Sequence, residues 1–222
     1  MNFKSIDIYC ERIDASFWSE PVNALTNIVI FLGGFIGFII ISKLNDPKAS
    51  SQHAKLAALL AMITGIGSFL FHTFANTLTM WLDIIPILFF KIISINFYLN
   101  FIFKKSIGFR ITFLFSFILL TLYLQSSLFK PYFNGSMMYF PSIITLLFFA
   151  FFSIRLGFST VGKYTFLGVG LFIASIAARS FDLEVCQEFS LGTHFIWHTL
   201  NGFLILSLLI AMSKFIEDKK EG

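Results

Sequence analysis

The sequence predicts an all-α membrane protein of seven transmembrane helices, and three observations carry that expectation. Of its 222 residues 57% are hydrophobic and only 13% are charged, whereas charge makes up about a quarter of an ordinary soluble domain. Seven separate runs stay apolar over about the 20 residues that a helix needs to cross a bilayer. The basic residues are gathered in alternate connections between those runs. The net charge of +4 therefore arises in short loops and reports topology rather than a nucleic-acid partner.

The runs cover 22–42, 56–75, 80–103, 109–128, 137–154, 164–181 and 193–213. They are continuously apolar rather than alternating, which excludes barrel strands. Residues 1–21 carry Lys4, Glu11, Arg12, Asp14 and Glu20 without an apolar centre, so they read as an outer N-terminal segment and not as a cleavable signal. Asn45-Asp46-Pro47 and Lys130-Pro131 break the chain between runs. Pro86 falls inside the third run and predicts a kink. Pro141 stands near the start of the fifth, where proline is tolerated. The seventh run is followed by a charged tail, 214–222. Residues 22–213 thus form one helical domain, and the length leaves no room for a second.

Orientation follows from charge. Lys43, Lys48, Lys55, Lys104, Lys105, Arg110, Arg155, Lys163, Lys214, Lys219 and Lys220 lie after runs 1, 3 and 5 or in the tail. Lys4, Arg12, Lys130 and Arg179 lie on the opposite side, and Lys91 stays inside the third run. The positive-inside rule then predicts an outer N-terminus and a cytoplasmic C-terminus.

Ionisable groups in a membrane are costly and usually mark function. Of four histidines, His53 falls in a cytoplasmic loop, while His72, His194 and His198 fall at the outer ends of runs 2 and 7. His194 and His198 are four apart and share a helix face. Three imidazoles at one depth suit zinc with an open coordination position, the catalytic pattern. Taken singly, each would be read as an interhelical hydrogen-bonding residue. Asp83 and Ser68 belong to the same layer. A carboxylate there can take a proton from metal-activated water, and a hydroxyl can donate to a developing oxyanion. The structural alternatives are a residue favoured by the helix dipole for Asp83 and back-bonding to a carbonyl for Ser68. Asp7, Glu11, Asp14 and Glu20 form an acidic cluster suited to calcium or to plain solvation. Cys10 and Cys186 both fall on the outer side, which favours a disulfide over two free thiols. That bond would tie the N-terminal segment to the helix carrying His194.

Several motifs resemble the alkaline ceramidases, part of a superfamily of seven-helix membrane hydrolases that includes the adiponectin receptors. They are Tyr9-Cys10-Glu11, Glu20-Pro21-Val22-Asn23 with Asn27, Gly67-Ser68 through His72, Met80-Trp81-Leu82-Asp83, Phe181-Asp182 with Cys186, and His194 through His198 to Gly202. The resemblance covers almost the whole chain. It implies zinc on His72, His194 and His198, an aspartate acting on the attacking water at Asp83, and an oxyanion-stabilising serine at Ser68. It also implies a disulfide between Cys10 and Cys186. It further implies calcium at Glu11 and Glu20, with Asp14 and Asp7 nearby, although the spacing is shorter here and Ile13 or Asp14 stands where asparagine is expected. The compact loop between Cys186 and His194 resembles a bacterial relative, which would sit in the inner membrane with its site facing outwards.

The expected activity is zinc-dependent hydrolysis of the amide of a ceramide-like lipid, giving a sphingoid base and a fatty acid, with substrate entering from the bilayer. Two rivals keep the metal: hydrolysis of another acylated lipid, and a receptor or assembly factor with structural zinc. A transporter fits less well, because no pair of interrupted helices recurs in matching halves.

Overall fold

The computed structural model describes residues 5–126, 128–129 and 132–221. Among them are seven α-helices and no strand: α1 Pro21–Lys43, α2 Ala49–Phe74, α3 Thr77–Phe97, α4 Ile107–Gln125, α5 Phe140–Arg155, α6 Ser159–Phe181 and α7 His194–Glu221. A π-helical turn, Tyr98–Ile102, prolongs α3, and a 3₁₀ segment, Tyr132–Tyr139, leads into α5. All seven spans are long and apolar enough to cross a membrane.

Helix ends depart from the apolar runs where helix-forming but polar residues adjoin them. α2 begins at Ala49 rather than residue 56, because Ala49 to Lys55 is free of proline and glycine and continues the helix outside the apolar stretch. α7 runs on through the charged tail to Glu221 for the same reason, and Lys214 pairs there with Glu217 three residues later at 2.5 Å. α3 continues through Pro86 as one helix.

Consecutive helices α1–α2–α3 and α5–α6–α7 pack side by side, and α1 against α7 joins the two groups. That last contact depends on small residues. A Cβ on Gly33 would collide with the carbonyl oxygen of Gly202, and one on Gly202 with that of Val29. Lipid-facing surfaces lack a hydrophobic drive to associate, so close backbone approach is what holds such helices together. Leu25, Ile28, Ile63, Ile66 and Phe115 point outwards and remain exposed, as a lipid-facing surface requires. Inside, Phe97, Tyr98, Phe149, Leu209 and Met212 are buried completely. α4 is peripheral and buries only Phe117.

Candidate active site

The N-terminal segment folds over one end of the bundle and is pinned at several points. Cys10 and Cys186 form a disulfide with Cα atoms 5.4 Å apart. Glu11 accepts the backbone N–H groups of Val22 and Asn23 at 2.7 and 2.8 Å. It thereby caps α1, whose own flanking residue Glu20 provides no side-chain cap. Burial pushes the Glu11 carboxyl above its ordinary range, against the pull of those two amides. Asp182, wholly buried at the end of α6, accepts from the backbone of Thr193 and His194, both at 2.8 Å, and of Cys10 at 3.0 Å. A buried carboxylate at a helix N-terminus satisfies orphan donors and complements the dipole. It sets the start of α7, and with it the two histidines of the first turns.

His72, in the last turn of α2, meets His194 and His198 of α7. All three are at most 2% exposed, and one ligand atom from each lies within 4.8 Å of the others. These residues form a buried group that can hold a metal ion. The outer nitrogens of His72 and His198 are oriented by neighbours. His72 Nδ1 lies 2.6 Å from Glu20 Oε2. Burial works to raise the Glu20 carboxyl, but His72 and Arg12 outweigh it and hold it below its ordinary value. As a carboxylate it can only accept, so His72 donates from Nδ1 and leaves Nε2 free. His198 Nδ1 lies 3.1 Å from Thr26 Oγ1. The Thr26 hydroxyl has its own acceptors in the carbonyls of Val22, at 2.8 Å, and Asn23, at 3.1 Å. Its oxygen is therefore left to accept from His198 Nδ1–H, again freeing Nε2. His194 Nδ1 is buried without any protein partner, and its ring stacks on Tyr9 at 3.8 Å. An orphaned buried nitrogen beside two imidazoles with free nitrogens fits a bound divalent metal, and an all-imidazole set suits zinc.

Asp83 reaches this layer through a tight hairpin. α2 ends with Ala75 in the left-handed region at φ 42°, and Asn76 opens α3 with a reciprocal capping box to Thr79. Gly67 lets the two helices touch, since a Cβ there would collide with the Leu82 carbonyl. Ser68 and Asp83 thus become neighbours on one cavity wall. Asp83 Oδ1 is buried with no protein partner, an acceptor left for something else. The cavity, of about 350 Å³, starts at Ser68, Asp83, His194 and His198 and runs inwards between apolar side chains such as Phe90, Phe117 and Leu204. An apolar cleft with a few convergent polar groups at one end is the usual form of a small-molecule site.

The acidic cluster does not gather around one point. Among the described residues, the three histidines are the sole group of three or more candidate ligands that converge. Glu20 bonds Arg12, His72 and Asn23, Glu11 caps α1, Asp14 accepts from the Ser16 backbone at 2.9 Å, and Asp7 is exposed. The side-chain hydrogen bond to Ser16 holds the exposed Asp14 carboxyl below its ordinary value. Of the carboxylates expected to face calcium, Glu20 instead faces the buried Arg12 guanidinium. The guanidinium bonds Glu20 through Nε, the Asp14 and Ser16 carbonyls through Nη1 at 3.1 and 3.5 Å, and the His72 carbonyl through Nη2 at 2.8 Å. These residues do not fit a calcium ion.

Sequence reasoning missed Arg12 and Thr26 as supports of the histidines, and Asp182 as the cap of α7. The lone basic residue between Asp7 and Glu20 was the available signal for Arg12. Nothing local marked Thr26, whose role depends on α1 meeting α7.

Comparison with curated proteins returned no match. A family profile described as Ceramidase matches residues 6–221, nearly the whole chain, so the protein belongs to the ceramidase family.

Proposed function

We propose that the protein is a zinc-dependent amidase that works within the membrane on a ceramide-like lipid, releasing a sphingoid base and a fatty acid. The observation that carries this reading is the convergence of three buried histidines, two of which, His194 and His198, line one apolar cavity together with Asp83 and Ser68. Membership of the ceramidase family supports the reaction class.

His72, His194 and His198 would hold the metal, with Glu20 and Thr26 fixing the first and last rings. Zinc bound there supplies Lewis acidity towards the amide carbonyl and makes water nucleophilic near neutral pH. The chain's own groups do the rest. Asp83 accepts the proton of the attacking water through Oδ1 as the C–O bond forms. Ser68 donates a hydrogen bond to the carbonyl oxygen as negative charge builds on it. When the C–N bond breaks, Asp83 returns the proton to the amine nitrogen, leaving a free amine and a carboxylic acid. The apolar cavity walls take up the lipid chains and keep bulk water from the reacting atoms. The distribution of basic residues supports an outward-facing site.

The test is release of sphingoid base from a long-chain ceramide by the purified protein in detergent, with and without a zinc chelator. Chelator-sensitive release is expected, and His198→Ala should lose both metal and turnover. Asp83→Asn should keep its metal and lose about 10²- to 10⁴-fold in turnover, the usual contribution of a positioned acid–base group. Full activity in metal-free protein would sink the mechanism.

A further inference from the structure

Lys91 takes no part in the chemistry above. It stands in the interior of α3, eight residues beyond Asp83, so their Cα atoms lie about 12 Å apart along the axis. Its span covers Thr77–Ile102, which puts Lys91 about 16 Å or more from either end. That is too far for its side chain to reach the interface by snorkelling. Long helical side chains lean towards the helix N-terminus, here towards Asp83. The side chain lines the same cavity as Ser68, Asp83 and His198.

Among the described residues Lys91 has no ion-pair partner and no hydrogen-bond acceptor; the three ion pairs found all lie elsewhere. Its Nζ sits 4.9 Å from the centroid of the Tyr139 ring. Tyr139 packs on Trp197 at 4.8 Å between centroids, and Trp197 lies between the two α7 histidines in sequence. The guanidinium of Arg179 lies 5.6 Å from Tyr139 and 6.0 Å from Trp197, but it already donates to the Asn134 carbonyl at 2.6 Å and to the Ser136 hydroxyl at 2.9 Å. An aromatic face attracts a cation but does not neutralise it. Lys91 therefore borders a cavity at membrane depth with no carboxylate within ion-pair distance. A neutral lipid entering it leaves this cation uncompensated, which low-polarity surroundings make costly.

We infer that Lys91, backed by Tyr139, forms a subsite for an anionic headgroup, so that the preferred substrate is an N-acylated lipid bearing a phosphate, sulfonate or carboxylate rather than a neutral ceramide. This rests on the amidase reading for the bond that is cut and adds the charge of the molecule that carries it.

The experiment compares kcat/KM in non-ionic detergent for a long-chain ceramide, the same ceramide carrying a 1-phosphate, and an N-acyl amino acid lipid with a free carboxylate. An anionic lipid should be preferred by about tenfold or more, the selectivity that one charge-assisted contact supplies. Lys91→Met should collapse that preference, and Lys91→Arg should preserve it. Preference for the neutral ceramide overturns the inference and leaves the amidase standing, as does a preference that survives in Lys91→Met. If Lys91→Met relieves inhibition by added fatty acid but leaves substrate preference intact, the cation serves the product and the inference also fails. A second measurement does not need turnover: dodecyl phosphate should raise the Tm of the zinc-loaded protein and fail to do so in Lys91→Met. If no lipid is hydrolysed, the amidase reading falls, and this shift alone decides the anion site. Its loss in the variant supports the site; an equal shift in both proteins overturns it.

Discussion

Two imidazoles of the histidine group depend on partners from a distant part of the chain. Glu20 orients His72, and Arg12 holds Glu20 while also bonding the His72 carbonyl. Glu20→Gln leaves a single acceptor oxygen where His72 Nδ1 and Arg12 Nε now use one each, and leaves Arg12 buried without its anion. Zinc affinity should fall about 10- to 100-fold, the usual effect of losing such an outer partner, as read by competition with a chromogenic chelator. The same arrangement argues that calcium is not needed. A guanidinium already takes one carboxylate oxygen and three backbone carbonyls, the oxygen set that a hard cation would collect. Calcium added from micromolar to millimolar concentration should change neither the Tm nor the turnover of zinc-loaded protein, and stoichiometric calcium in equilibrium dialysis would contradict this. The histidines and Asp83 stood out in the sequence because ionisable groups are scarce in apolar runs, and Ser68 because it shares a motif with His72. Glu20 was legible as a functional residue but not as a histidine partner, since carboxylates in a water-exposed segment look alike until the chain folds over the bundle.

At the scale of elements, the apolar runs located all seven helices, but their ends followed other rules. Helix propensity carried α2 and α7 beyond the apolar stretch, as at Ala49 and Glu221. Before α5 the backbone turns through left-handed Phe133, Asn134 and Gly135, and Arg179 bonds the Asn134 carbonyl at 2.6 Å. No local pattern announces that arrangement, because its partner lies on α6. The α2–α3 hairpin shows how an element sets the site. Gly67 brings the Leu82 carbonyl against α2 and so places Asp83 beside Ser68. Gly67→Val should push the hairpin apart. Overpacking of a close contact typically costs about 1–3 kcal/mol, so Tm should fall, and turnover should fall further than zinc content, because the histidines do not ride on this contact. Equal loss of metal and turnover would mean that the hairpin supports the metal group as well.

For the whole molecule, the site exists because α1 against α7 closes the bundle and sets His72 beside two histidines from the far end of the chain. Sequence alone reached that meeting only through topology: an odd number of spans and a one-sided charge distribution put all three at one depth. The same reasoning makes a claim about sidedness that can be measured. By sequence, eleven basic residues fall in the connections on one side of the spans and four on the other, and chains insert with the richer side in the cytoplasm. Both native cysteines are engaged in the disulfide, so a single introduced cysteine reports its own position. Ser16 and Gln52 are exposed at opposite ends of the bundle. In intact spheroplasts an impermeant maleimide should label Ser16→Cys at once, and Gln52→Cys only after permeabilisation. That pattern would place the Cys10–Cys186 disulfide on the oxidising side, where such a bond persists, and would open the metal group towards the outer leaflet. The reverse pattern would put the disulfide and the site in the cytoplasm, and the lipid pool available to the enzyme would then be that of the inner leaflet.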